Sequence, residues 1–383
     1  GVNGSGKHNN WSLQTDDGIN LLDPGKTPHQ NVQFLLVLAC ILRAVDKHAD
    51  LLRESAADPG NDHRLGADEA PPAIISVFLG DQLEDVVSQL IETGTATSSI
   101  RGGRMSTGVS MLPNFSKDAT DRNRTSPFAF TGNKFEFRMV GSKDSIAGPN
   151  IVLDTIVAES FSDACDILEK AEDFDEEVRR LTKRYLTDHQ KIIFNGNGYS
   201  EEWVEEAKKR GLPNLGSMVE AIPVLVTDTS IKMFAKYGVF SESELRSRVE
   251  IKYENYAKTI HIEALTMIDM ASKSIIPAII KWTGSLAGTI RSLEEIGASA
   301  KIQRKLLAES SDLLEKTQDA LEKLIVLTAQ AEQTPEGKER ACFYHETVMP
   351  AMQALRSPVD RLEMIVDKDM WPMPSYGDLL FEV

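Results

Sequence analysis

Six consecutive residues, Lys134-Phe135-Glu136-Phe137-Arg138-Met139, alternate between charged and apolar without a break. Successive side chains of a strand point to opposite faces. Lys134, Glu136 and Arg138 therefore share one face, and Phe135, Phe137 and Met139 share the other. A segment patterned this way demands a half-buried sheet with a layer behind it to cover the aromatic side. Beyond about residue 150 the period changes. Apolar residues recur at helical spacing over roughly 150–172, 174–195, 200–210, 216–237, 242–297, 299–332 and 336–368. The chain reads as α+β: a partial antiparallel β-sheet within residues 1–150, then a mainly helical region over 151–383 that forms a large bundle.

The segments before the strand carry weaker signals. Trp11 and Leu13 begin an alternating, strand-like stretch, and Asp23-Pro24-Gly25 is a turn. Val32, Leu35, Leu36, Ala39, Leu42 and Val45 predict a helix from about Asn31 to Ser55, broken by Asp58-Pro59-Gly60. Arg64 to Pro71 reads as a loop, Ala73 to Leu79 as a β-like run and Asp81 to Ile91 as a short amphipathic helix. Residues 94–123 are rich in Gly, Ser, Thr and Asn with no period, the mark of a functional or mobile loop. Further on, Ser241-Glu242-Ser243-Glu244 predicts a capping box, and Pro277 predicts a kink or a break. Leu307, Leu314 and Leu321, beside Leu306, Leu313 and Leu327, predict a helical hairpin or bundle.

Charge narrows the function. A net charge of −16 excludes a nucleic-acid backbone or an anionic membrane as the expected partner. An anionic substrate must then be held by local cations and metal. Cys40, Cys165 and Cys342, an odd count without close spacing, predict buried free thiols in a reducing compartment. Three glycosylation-type triplets, beginning at Asn10, Asn114 and Asn123, carry no weight in that setting. With no signal peptide or long apolar span, the expected location is cytoplasmic. The first residue is Gly1, inside a motif, so the chain is expected to be a fragment lacking an N-terminal portion.

On the charged face of the 134–139 strand, one carboxylate stands between two cations. That order suits a site holding a metal ion together with anionic oxygens, although a solvated sheet face has the same pattern. Gly1-Val2-Asn3-Gly4-Ser5-Gly6-Lys7-His8 fits the phosphate-loop spacing, yet such a loop needs Ser or Thr after the lysine. His8 stands there. This glycine-rich run, Arg64-Leu65-Gly66-Ala67-Asp68-Glu69-Ala70-Pro71 and Asn123-Arg124…Glu136-Phe137-Arg138 occur in the order seen in glutamine synthetases. The ending Trp371-Pro372-Met373-Pro374-Ser375-Tyr376-Gly377-Asp378-Leu379-Leu380-Phe381-Glu382-Val383 resembles that of the long type III branch.

The resemblance covers essentially the whole chain. It implies that residues 1–150 are the C-terminal part of an ATP- and glutamate-binding catalytic domain, with a long insertion at about 72–120. It implies ATP-dependent ligation of ammonia to glutamate through γ-glutamyl phosphate, with Mg²⁺ or Mn²⁺ and a homo-oligomeric ring. Residue by residue, His8 and Glu136 match ligands of the metal that bridges the ATP phosphates. Backbone near Asn3 and Gly4 matches a glutamate contact, and Ser12 a nucleotide contact. Arg64 matches the partner of the glutamate α-carboxylate, and Glu69 the flap residue that helps take a proton from ammonium. Arg124 matches a phosphate and substrate contact, and Arg138 a glutamate contact. Two positions depart from the pattern: Asn10 stands where many members have a second histidine, and Ala129 where a further phosphate-binding arginine is usual. Lys134 is expected to compensate for the latter. The glutamates that hold the other metals in the family are not in this sequence, so the chain alone is expected to be inactive. The competing readings are a helical scaffold without catalysis and a P-loop NTPase.

Overall fold

The alternating segment lies inside a four-stranded sheet. The structure, a computed structural model, describes residues 6–66, 70, 72–98, 104–105, 115–116 and 125–381. The sheet contains β1 (Gly6–Trp11), β2 (Val77–Phe78), β5 (Phe128–Phe130) and β6 (Phe135–Gly141) in the order β1-β6-β5-β2. A separate two-stranded pair joins β3 (Arg104–Met105) to β4 (Phe115–Ser116). Most of the 94–123 stretch and Arg124, which follows it, lie outside the described residues, as do Asn3, Gly4 and Glu69.

The sheet is mixed, which corrects the expectation of an antiparallel one. β1, β6 and β5 pair antiparallel, whereas β2 runs parallel to β5 with Val77 opposite Phe128. A parallel neighbour needs a long crossover, and the chain supplies one through α4 (Asp81–Thr93) and the stretch that follows it. Phe135, Phe137 and Met139 are fully buried on the back of the sheet. Phe128 stacks on Phe135 at 4.6 Å between ring centres, and Phe130 meets Phe34 of α1 (Val32–Lys47) at 5.9 Å. Burying each such ring contributes about 1.5–3 kcal/mol, which fixes the register of the strand.

Two expected helix boundaries move. The predicted helix at 31–55 is two helices, α1 and α2 (Ala49–Glu54), because the buried His48 between them turns its Nε2 to Glu159 Oε2 at 2.7 Å. Asp58-Pro59-Gly60 does break that helix, but it opens another, α3 (Pro59–Arg64). Asp58 caps the Gly60 N–H and Pro59 occupies the first turn, where its missing donor is not needed. Arg64 therefore ends a helix and does not lie in a loop.

Behind the sheet, α1 packs against α5 (Ala147–Leu168) and α6 (Phe174–His189). The predicted helix at 216–237 is divided into α8 (Met218–Ala221), a 3-10 turn through Pro223 and α9 (Asp228–Lys236), after α7 (Glu201–Lys209). The chain divides into two units, Gly1–Val249 and Glu250–Val383. The division falls within α10 (Glu242–Met270), which opens on the predicted capping box, with Ser241 N–H on Glu244 Oε2 at 2.7 Å.

The second unit contains α11 (Ile276–Glu295), α12 (Lys301–Gln333), α13 (Lys338–Phe343), α14 (Met349–Glu363) and α15 (Tyr376–Phe381). Pro277 is preceded by a π turn at Ala271–Ile275, and Pro350 by another at Tyr344–Val348. Each widened turn accommodates a proline that would clash in a regular helix. α12 packs against α11 and α14, as its paired leucine seams predict. All three cysteines are free, but only Cys40 is buried; Cys165 is exposed and Cys342 partly so, against the expectation of three buried thiols. Among the described residues no helix is long and apolar enough to cross a membrane.

Candidate functional site

The front of the sheet owes its shape to an irregularity in pairing. Lys7 lies opposite Val140 and Asn9 opposite Phe137, so Arg138 and Met139 together face the single residue His8. Two residues against one is a β-bulge, a device that re-aims side chains and recurs beside active sites. Here it brings three groups together. His8 Nδ1 stands 3.5 Å from Glu136 Oε2, and Arg138 approaches the same oxygen through Nε at 3.3 Å and Nη2 at 3.2 Å. The His8 side chain is 61% exposed and that of Glu136 19%, while Arg138 is buried. The arrangement is an open imidazole, a half-sheltered carboxylate and a guanidinium that holds the carboxylate from behind.

This donor pair fits a divalent cation. At 3.5 Å the imidazole is too far for a good hydrogen bond. Two donors sharing one first-row ion stand roughly 3.0–3.5 Å apart. Neutral imidazole with carboxylate is sound chemistry for such an ion. Arg138 fixes the orientation of the Glu136 carboxylate, as outer partners of metal ligands do. Among the described residues no group of three or more His, Cys, Asp or Glu converges, so other ligands of an ion here would be non-protein oxygens or groups beyond those residues.

The other predicted positions surround this face. Ser12 Oγ donates to Asn20 Oδ1 at 3.0 Å and to the carbonyl of Asn133 at 3.2 Å, which ties the end of β1 to the β5–β6 turn. Lys134 follows that turn on the front. Asn10, opposite Glu136, donates to the carbonyl of His8 at 3.2 Å. Ala129 pairs with Glu136 from the other side and is fully buried. Lys7 lies inside β1 and its ammonium donates to the carbonyl of Asp144. A P-loop lysine sits where a loop opens a helix, so this geometry removes the P-loop reading.

Arg64 is deeply buried. Its Nε donates to Asn61 Oδ1 at 2.8 Å and its Nη2 to the carbonyl of Met139 at 2.5 Å. Asn61 Nδ2 reaches the same carbonyl at 2.9 Å. The bulge turns that carbonyl out of the ladder, and a buried carbonyl must find a partner; Arg64 and Asn61 provide it. Burial pushes the Arg64 pKa down, opposed by the charges of Asp144, Tyr199 and Asp58. Burial also raises the Asp144 carboxyl, with Asp58 adding to the effect.

Comparison with known proteins gives this geometry a family. Residues 177–294 match the glutamine synthetase C-terminal domain family. The chain is 45% identical over 390 residues to the type-3 glutamine synthetase of Dictyostelium discoideum. It is 43% identical over 394 residues to a glutamine synthetase of Butyrivibrio fibrisolvens, and 38% over 394 residues to one of Bacteroides fragilis strain YCH46. Each match covers 100% of this chain. The chain belongs to the glutamine synthetase family. It spans about half the length of these curated relatives, covering 53%, 55% and 54% of them in turn.

The segment matched by the glutamine synthetase C-terminal domain lies beyond every predicted site residue, in the helical part of the chain. Sequence reasoning missed Asn61 and the bulge that it serves. Asn61 had a readable signal in the Asp58-Pro59 helix start; the bulge had none, because it exists only once β1 and β6 are paired.

Proposed function

We propose that this chain carries part of the active site of a glutamate–ammonia ligase, the wall that faces a divalent cation and glutamate. The observation that most supports this reading is the approach of His8 Nδ1 to Glu136 Oε2 at 3.5 Å on one sheet face, with Arg138 behind. In the reaction, a γ-carboxylate oxygen of glutamate attacks the terminal phosphorus of ATP and displaces ADP. Ammonia then attacks the acyl carbon of γ-glutamyl phosphate, phosphate leaves, and the surplus proton passes to Glu69. The obstacle is repulsion between carboxylate and triphosphate, so catalysis rests on neutralising and aligning them.

His8 and Glu136 are the residues that would hold Mg²⁺ or Mn²⁺, which when bound supplies positive charge between the two anions. Arg138 keeps the Glu136 carboxylate in place and faces glutamate. Lys134, with Ser12 and Arg124, faces the nucleotide, while Asn3, Gly4 and Arg64 hold the amino-acid end of glutamate. A homo-oligomeric ring and a cytoplasmic location belong to the same reading.

Titration of Mn²⁺ into the wild type and into His8→Ala, followed by electron paramagnetic resonance of the free ion, tests it. Loss of a ligand is expected to weaken binding by at least about tenfold, and Glu136→Gln should do the same. Equal affinity in all three proteins would overturn the assignment and favour a helical scaffold without catalysis.

A further inference from the structure

α10 has two apolar sides. Tyr253, Tyr256, Ala257, Ile260 and Ala264 are buried and form the stripe that a surface helix turns toward its core. The outward side of such a helix is ordinarily charged. Here it carries Ile251, Ile262 and Leu265, which are 51%, 63% and 47% exposed. Scattered apolar side chains on a surface need no explanation, but these three are aligned. Ile251 and Ile262 are eleven residues apart, about three turns of helix, and Leu265 stands three residues further on. A shallow groove of about 620 Å³ runs along the same side, with Ile262, Leu265, Asp269 and Lys273 in its lining.

The charges around this apolar centre are ordered. Lys258 lies four residues before Ile262, and Asp269 four residues after Leu265. Glu254 and Lys273 lie four residues further out on either side. Glu254 pairs with Lys258 at 2.5 Å and Asp269 pairs with Lys273, and all four side chains are exposed. A second copy laid parallel to the first would set Lys258 against Lys258 and Asp269 against Asp269, which opposes association. A copy turned about a two-fold axis midway between Ile262 and Leu265 gives the reverse. Ile262 then meets Leu265, Lys258 meets Asp269 and Glu254 meets Lys273, each twice over.

We infer that this side of α10 is a contact surface for a second copy of this chain, antiparallel about that two-fold axis. Ile262 and Leu265 form its centre, and a cluster of four alternating charges closes each end. From Ile251 to Lys273 the stripe is about 33 Å long, enough for a contact of the smaller, concentration-dependent class. The inference does not rest on the ligase reading.

Sedimentation velocity of the whole chain over a dilution series tests it, with circular dichroism checking the fold of each variant. The wild type is expected to associate as concentration rises, and Ile262→Glu to sediment at half the wild-type mass. Lys258→Glu sets carboxylate against carboxylate at two places and is expected to weaken association by at least about tenfold. Adding Asp269→Lys to it exchanges the two signs and is expected to restore association. Lys316→Glu on α12 changes the net charge equally and is expected to leave association as in the wild type. A wild type that stays monomeric up to about 1 mM would overturn the inference. Equal weakening by Lys258→Glu and Lys316→Glu would do so as well, because it would reduce the effect to general repulsion. So would failure of the double variant to recover, which would give this side of α10 to a parallel copy or to a different protein.

Discussion

The two units handle buried polarity differently. In the first, charged and amide groups sit inside: His48, Arg53, Glu54, Asn61, Arg64 and Arg138 are each at most 6% exposed. In the second, the buried polar residues among those described are Ser310, Thr317 and Thr328. Thr317 and Thr328 return their hydroxyls to the carbonyl four residues earlier, and Ser310 accepts the Trp282 indole. Several ion pairs in the second unit lie along the outside of single helices, as in Lys316–Asp312 and Lys258–Glu254. A buried charge is tolerated only when paired and hydrogen-bonded, and breaking its pairing is expensive. An exposed pair contributes little. The first unit therefore keeps an irregular strand pairing and buried charged groups, and the second keeps long helices with charge on the outside.

If that contrast is right, mutations in the sheet core should have the largest effect. Phe137 is fully buried and its ring lies 6.2 Å from that of Phe128. Phe137→Ala is expected to cost about 3–5 kcal/mol, read as a shift of the denaturant midpoint followed by circular dichroism. A loss below about 1 kcal/mol would mean that the back of the sheet is not packed as the alternation requires.

A mid-sized effect should carry a pH signature. The Glu159 carboxyl of α5 is held down at about 2, against an ordinary 4.5. The hydrogen bond with the buried His48 is the main cause; burial opposes it and Lys47 reinforces it. The folded value lies below the unfolded one, so the stabilisation is complete above about pH 4.5 and fades as pH falls toward about 2. Glu159→Gln should lose about 1–3 kcal/mol at neutral pH, and its stability curve should converge with that of the wild type in acid. A gap that stays constant across that window would place the stabilisation in packing, not charge.

How much of this was legible depends on distance along the chain. The alternation at 134–139 and the helical periods after residue 150 are local, and both survive in the structure. Pro277 signals an irregular turn through its own ring geometry, and Pro350, governed by the same clash, carries the same signal. The interruption at His48 was not readable, because its partner Glu159 lies 111 residues away. Nor was the bulge, whose freed carbonyl at Met139 is met by Asn61 from 78 residues earlier. The parallel β2–β5 pairing depends on a crossover path that no local pattern encodes. His8 and Glu136 have no periodicity in common; a likeness to a family pointed to them as a pair, and only the folded sheet brings them to 3.5 Å.

The smallest predicted effect tests the other side of the contrast. Lys316 and Asp312 stand 2.7 Å apart on α12 with both side chains 61% exposed. Water and salt screen such a pair, and holding two long side chains in one geometry offsets part of the attraction. Lys316→Ala is expected to change stability by no more than about 0.5 kcal/mol, with the difference shrinking further in molar salt. A loss above about 1.5 kcal/mol would break the comparison. An ion pair contributes that much only when it is shielded from solvent, so this face of α12 would have to be covered by a neighbouring surface, and the second unit would then hold buried charge as the first does.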